Sequence, residues 1–304
     1  MRSRLSLLLV AAGFALAPAA LGAQSALDRA PNLSAGWTGP GGMLYFDFLH
    51  RFTQSGEPER KITSSPTFLL AGTPTSWLLV GAHYATNSRL VARYPNEWEA
   101  FARVRPRWRL PLLSSVAVQA GYNIAAQSLD GELSVTRTLG PAQLIGALRA
   151  FSDAYGTGES AVAGAAGIAL RVHGGNMPIA LVGDIAARAE RADGERAAWS
   201  AGIAFTIPYT PHTLSLHASN TATSTLQGAT RGDDLTRYGF EFTVPLTLAR
   251  FRAQPERAPE PGVTEEPAEP AEPDPGDVAP ATPPAQPPAP AHPDSAEPRP
   301  LPTP

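Results

Sequence analysis

Between Trp37 and Phe251 apolar residues recur at every second position in short runs, and the 3.6-residue period of a helix is nearly absent. Such alternation gives a strand two unlike faces. In the last run Tyr238, Phe240, Phe242, Val244, Leu246 and Leu248 share one face, and Gly239, Glu241, Thr243 and Thr247 share the other. The first run sets Leu44, Phe46, Phe48 and Phe52 against Tyr45, Asp47 and Arg51. Trp98, Ala100, Ala102 and Val104 alternate with Glu97, Glu99, Arg103 and Arg105, and Val116, Val118, Tyr122 and Ile124 with Ser115, Gln119 and Asn123. Trp199, Ala201, Ile203, Phe205 and Ile207 continue the pattern, as do Leu214 and Leu216 against Thr213, Ser215, His217 and Ser219. Fainter runs lie at 63–71, 76–85, 132–139, 142–151, 160–173 and 178–188. The alanine-rich stretch 160–170 also suits a helix on propensity alone.

Twelve runs leave eleven connections, and these sort by parity. The odd-numbered ones (54–62, 86–96, 126–131, 152–159, 189–196 and 220–235) are long and polar. The even-numbered ones (72–75, 110–114, 140–141, 174–177 and 208–211) are mostly tight turns built on Pro or Gly. A transmembrane barrel needs this sorting, with short turns on the periplasmic side and longer loops outside. A two-sheet sandwich with Greek-key crossings has no reason for it. The expected fold is therefore all-β: a closed antiparallel up-and-down transmembrane β-barrel of about 12 strands, within a range of about 10–14. Aromatic residues near the run ends, among them Trp77, Trp108, Tyr209 and Phe251, suit interfacial girdles.

The ends of the chain have a different composition. Residues 1–23 read as a secretory signal: Arg2 and Arg4, then an apolar stretch, a break at Pro18 and the small-residue site Leu21-Gly22-Ala23. The apolar stretch is too short to span a membrane, which takes roughly 20 residues. Residues 24–36 follow as an N-terminal lead-in, 37–252 as the barrel and 253–304 as a tail. From Gln254 onward lie 18 of the 32 prolines and a net charge of −8, so the tail is expected to be disordered and extended. An even strand count returns it to the periplasm, with the cell wall or a periplasmic protein as its expected partner. The barrel's own partners are outer-membrane lipids. The absence of cysteine removes disulfides, thiolate metal sites and a lipidated cysteine. A mature body near +3 gives no case for nucleic acid.

Three segments carry a resemblance. Leu-Tyr-Phe-Asp-Phe-Leu-His-Arg-Phe (44–52), Leu-Leu-Val-Gly (78–81), and Asn220-Thr-x-Thr followed by Tyr-Gly-Phe-Glu-Phe (238–242) are similar to a family of envelope proteins described only as a β-barrel domain of unknown function. The resemblance covers roughly residues 40–251. The family's usual lysine-and-glutamine segment after the third strand is not evident here. It implies a barrel and no assigned activity.

The chain has no phosphate-binding, dinucleotide, zinc-protease or nucleophile-elbow motif, and no cofactor is expected. One arrangement invites chemistry. His217 and Ser219 share a strand face, and Glu241 on the last strand could orient the pair. His-x-Ser is similar to elements of outer-membrane phospholipases and lipid A deacylases. Against catalysis, parity points both side chains away from the Leu214/Leu216 face, whereas lipid substrates arrive from outside. The expected lumen-lining charges are Asp47, Arg51, Glu97, Glu99, Arg103, Arg105, Arg149, Asp184, Arg188 and Glu241, paired across the interior or used for selectivity. The sequence thus supports a non-enzymatic outer-membrane barrel, as a narrow channel or a structural element. Two alternatives are an outer-membrane lipid acyl hydrolase and a soluble periplasmic β-sandwich binding protein.

Overall fold

The computed structural model describes residues 25–108, 110–191 and 193–248. The expected signal segment and the proline-rich tail lie outside the described residues.

The strands are β1 (Met43–Gln54), β2 (Ile62–Thr75), β3 (Leu78–Ala85), β4 (Glu97–Val104), β5 (Ser115–Asn123), β6 (Ser128–Leu139), β7 (Ala142–Phe151), β8 (Ala161–His173), β9 (Ile179–Arg188), β10 (Arg196–Thr206), β11 (Thr213–Ser219), β12 (Arg231–Gly232) and β13 (Arg237–Thr247). Each strand from β1 to β10 pairs antiparallel with the next, β11 pairs with β13, and β13 pairs with β1. That closes a twelve-strand ring and leaves no free edge to template aggregation. The two-residue β12 lies outside the ring, on the end of β10. The alanine-rich stretch is strand β8, paired along its length with β7 and β9. The ladder overrides local helix propensity there.

The period-2 pattern sets the faces. Tyr45, Asp47, Leu49 and Arg51 of β1 are buried inside the ring, and Phe46 between them faces outward. Across the outer surface Phe242, Phe48, Phe68, Tyr84 and Trp98 are successive partners on five neighbouring strands. Phe48 stacks on Phe68 at 5.0 Å, and Tyr84 meets Trp98 at 4.5 Å. Cross-strand aromatic pairs of this kind hold register as well as adding packing. Gly239 serves a different need: a Cβ there would sit 2.3 Å from the His50 carbonyl oxygen.

The connections depart from expectation at three places, the first being 72–75, which is the end of β2 rather than a turn, the turn itself falling at 76–77. Strand β6 begins at Ser128, so the loop expected at 126–131 shrinks to 124–127. The turn expected at 110–114 is instead a long connection, 105–114, at the otherwise short-turn end. Met43 pairs with Thr247, so the chain enters and leaves the ring at that same end.

Candidate functional site

The lumen is occupied from both ends. From the short-turn end, the segment expected as a lead-in threads upward into the barrel and returns. A 3-10 turn, Ala26–Asp28, capped by Ser25, begins it. Leu27 packs on Ala169, Ala180, Val182 and Ala204. Ala30, Leu33 and Ala35 pack on Ile145 and Ala147. The descending limb places Trp37 against Tyr45, Leu69, Leu79 and Phe101. Its reversal needs left-handed backbone at Ala35 and Gly36, and a Cβ on Gly36 would approach the Ala117 Cβ to 2.7 Å.

The apolar contacts seat this plug, and ionic contacts fix its height. Arg29 reaches Asp47 at 2.9 Å, Thr243 at 2.9 Å and the Glu241 carboxylate. Arg149 donates to Glu132 at 2.8 Å and to the Asn32 carbonyl at 2.8 Å. Arg103 donates to the Trp37 carbonyl at 2.7 Å and to Gln119. Asp184 accepts from the Asn32 amide at 2.9 Å and its side chain at 3.0 Å. Buried charges are tolerated when they are paired and their remaining hydrogen-bonding positions are filled. The plug's backbone fills many of those positions.

From the long-loop end, the connection 220–236 turns inward instead of spreading outside. Glu97 accepts from Ser88 at 2.7 Å, Asn123 at 2.6 Å, Thr223 at 3.2 Å and Thr225. Glu99 accepts from the Leu226 amide at 2.6 Å and faces His83 at 3.2 Å. Gln227 donates to Asp130 at 2.9 Å and accepts from the Tyr155 amide at 2.8 Å. Tyr155 itself lies between the Arg188 and Arg231 guanidiniums, 5.0 and 4.9 Å from its ring. Its phenol donates to Glu195, and burial together with that carboxylate raises its pKa above the ordinary tyrosine range. The two plugs meet where Arg51 donates to Asn32 at 2.8 Å and to the Thr223 carbonyl at 3.1 Å. Between them remains a cavity of about 70 Å³, lined in part by Arg29, Asn32, Glu99, Glu132, Arg149 and Glu241. That volume has room for a few waters.

Of the charges expected to line the lumen, Asp47, Arg51, Glu97, Glu99, Arg103, Arg149, Asp184 and Glu241 belong to this network. Arg105 follows the end of β4 and reaches the Ser76 carbonyl at the rim. Arg188 pairs with Glu195 at the opposite rim. Arg29, Asn32, Asp130, Glu132 and the threonines at 221, 223 and 225 were not among the expected site residues. Asp130 falls within a stretch expected to be loop. The alternation of threonine at 221, 223 and 225 is the one local sign that the 220–236 connection has a buried face.

The structure keeps His217, Ser219 and Glu241 apart chemically. His217 Nδ1 faces Ser215 Oγ at 3.0 Å, and Nε2 accepts from Arg51 at 3.4 Å. Ser219 donates to the Trp199 carbonyl at 2.8 Å and accepts from the Thr221 amide at 3.1 Å. Glu241 is committed to Arg29. A general base needs a free lone pair aimed at the nucleophile's proton. Here Arg51 takes the lone pair, and Ser219 gives its proton to a carbonyl. Among the described residues no cluster of His, Asp or Glu is arranged to hold a metal ion.

No protein-family model and no curated protein matches the chain. Among solved structures it is similar to an outer membrane channel from Pseudomonas putida F1, at 9% identity over 68% of this chain and 96% of that one, with a TM-score of 0.41. It is also similar to the outer membrane channel DcaP of Acinetobacter baumannii, at 10% identity over 67% and 96%, with a TM-score of 0.33. A third is OmpT, an outer membrane protein of Vibrio cholerae, at 10% identity over 67% and 97%, with a TM-score of 0.31. Likenesses this loose leave function to the chain's own residues.

Proposed function

We propose that this protein is a non-enzymatic outer-membrane β-barrel that is closed at rest, a structural element of the envelope rather than an open pore. The observation that carries the reading is the pairing of an apolar outside with a filled, charged inside. Leu148 is 65% exposed, Val162 60% and Leu181 47%, on strands whose alternate side chains are buried. Soluble monomers rarely expose contiguous apolar patches beyond a few hundred Å². A belt around a closed sheet exceeds that, and a bilayer is the solvent it fits.

The channel reading needs a path, and both plugs lie across the lumen, hydrogen-bonded to its wall at Arg149, Asp184 and Glu99. The hydrolase reading needs His217 and Ser219 joined, and their hydrogen bonds lead elsewhere. The sandwich reading needs two sheets, and one sheet closes on itself.

The test is fractionation with heat-modifiability on a gel, followed by planar-bilayer recording of the refolded protein. Outer-membrane recovery, a heat-shifted band and no steady conductance are expected. Recovery in the soluble periplasm would overturn the membrane reading, and stable open-channel steps would overturn the closed state. Phospholipid hydrolysis lost in Ser219→Ala would overturn the non-enzymatic reading.

A further inference from the structure

The two ends of the barrel differ in charge. The connections at the long-loop end carry Glu57, Glu59, Asp153, Glu190, Asp233 and Asp234. The five at the other end, 76–77, 105–114, 140–141, 174–178 and 207–212, contain no Asp or Glu. The exception to their brevity, 105–114, carries three arginines, three leucines and Trp108. Trp108 is 69% exposed and Leu112 75% exposed on it, next to an exposed Trp77.

Arg105, Arg107 and Arg137 are held here by neutral groups. Arg105 and Arg107 both reach Ser76, at its carbonyl (3.5 Å) and its hydroxyl (3.0 Å). Arg137, at the end of β6, reaches the Pro111 carbonyl at 3.4 Å. Among the described residues no carboxylate pairs with any of the three, whereas Arg149 and Arg237 have carboxylate partners at 2.8 and 2.5 Å. Burial and the neighbouring Arg107 charge both depress the Arg105 pKa, as expected for cations gathered without an anion.

We infer that this patch is a docking surface for anionic phospholipid headgroups in the leaflet at the short-turn end. Trp108 and Leu112 enter the interface as anchors, and Arg105, Arg107 and Arg137 bind the phosphates. The inference rests on the membrane reading above. Tryptophan settles at headgroup depth because its ring is apolar with one polar edge. Arginine binds phosphate through a planar fork of donors. The five connections at this end carry no carboxylate, and Asp28 of the N-terminal segment is already paired with Arg171 at 2.5 Å.

The experiment uses the full chain refolded into vesicles, with Trp98→Phe and Trp199→Phe removing lipid-facing reporters elsewhere. Trp37 stays buried in the lumen, so quenching reads Trp77 and Trp108. Brominated phosphatidylglycerol is titrated into phosphatidylcholine vesicles, with brominated phosphatidylcholine as the control. Quenching is expected to report about a tenfold preference for the anionic lipid, given the worth of a few basic residues at an anionic surface. Arg105→Gln/Arg107→Gln/Arg137→Gln should abolish the preference and keep the heat-shifted band. Coincident curves for the unsubstituted arginines, or a preference that survives the triple change, would overturn the inference while leaving the barrel in its membrane. Absence of quenching by either lipid, with no heat-shifted band, would overturn the membrane reading itself.

Discussion

Arg149 shows what a single lumen residue does. Its guanidinium holds Glu132, the Asn32 carbonyl and Thr230, so it ties two wall strands to both plugs. Arg149→Met removes one partner of a buried ion pair and should cost roughly 3–5 kcal/mol, read from denaturant unfolding of the refolded barrel. Arg149→Met with Glu132→Leu should recover most of that loss, because no unpaired buried charge remains. Equal losses in the single and double variants would mean that the plug contacts, not the ion pair, carry the energy. That Arg149, Glu97 and Asp184 face inward was legible from parity. Their partners were not, because Asn32 comes from a segment with no strand period, and the threonine alternation that includes Thr225 falls in a connection whose length and polarity place it outside the ring. The His217-Ala-Ser219 spacing was legible too, but the competing donors Arg51 and Thr221 arrive from elsewhere in the chain. Only the folded lumen shows both groups engaged.

At the scale of one strand, β13 offers the sharpest test of the faces. Phe242 is paired with Phe48 and Leu214 on an outward row, away from the lumen. Phe242→Arg should cost about 2–4 kcal/mol of folding free energy in bilayer, and Phe242→Leu much less. Equal costs for the two would mean the row does not meet lipid. Sequence alone would make Thr243, on the opposite face, the harmless control. The structure corrects this, since Thr243 is buried, donates to Asp47 and accepts from Arg29. An arginine at that position would compete with Arg29 for the same carboxylates. Strand positions and faces were readable because a period of two survives within a single segment. The 105–114 connection and the short 124–127 turn were misjudged because strand ends depend on partners that the local pattern does not contain.

At the scale of the whole molecule, chain direction and charge balance lead to two expectations. Because Met43 pairs with Thr247, the chain leaves the ring at the end where it enters. With that end in the periplasm, an epitope at Pro304 should be hidden from antibody on intact cells and exposed once the outer membrane is permeabilised. Labelling of intact cells would overturn that orientation. The second expectation concerns the lumen. Its wall carries Asp47, Glu97, Glu99, Asp130, Glu132, Asp184 and Glu241 against Arg51, Arg103, Arg149 and Arg237. Arg29 is the cation that the N-terminal plug adds beside Asp47 and Glu241. Deleting residues 26–38 should therefore do two things at once. It should empty the lower lumen, because Leu27, Leu33 and Trp37 leave with it, and it should leave the wall negative. The ring needs none of that segment for its ladders, so the variant should keep a heat-shifted band, though with lowered stability. In planar bilayers it should show conductance that the full chain lacks, with cations preferred over anions in a salt gradient. Arg29→Gln alone should leave the lumen shut, because the apolar seats of Leu27 and Trp37 remain. A folded deletion variant that stays silent would place the block in the 220–236 connection. An anion-selective one would mean that Arg51, Arg103 and Arg149 set the field in the opened lumen.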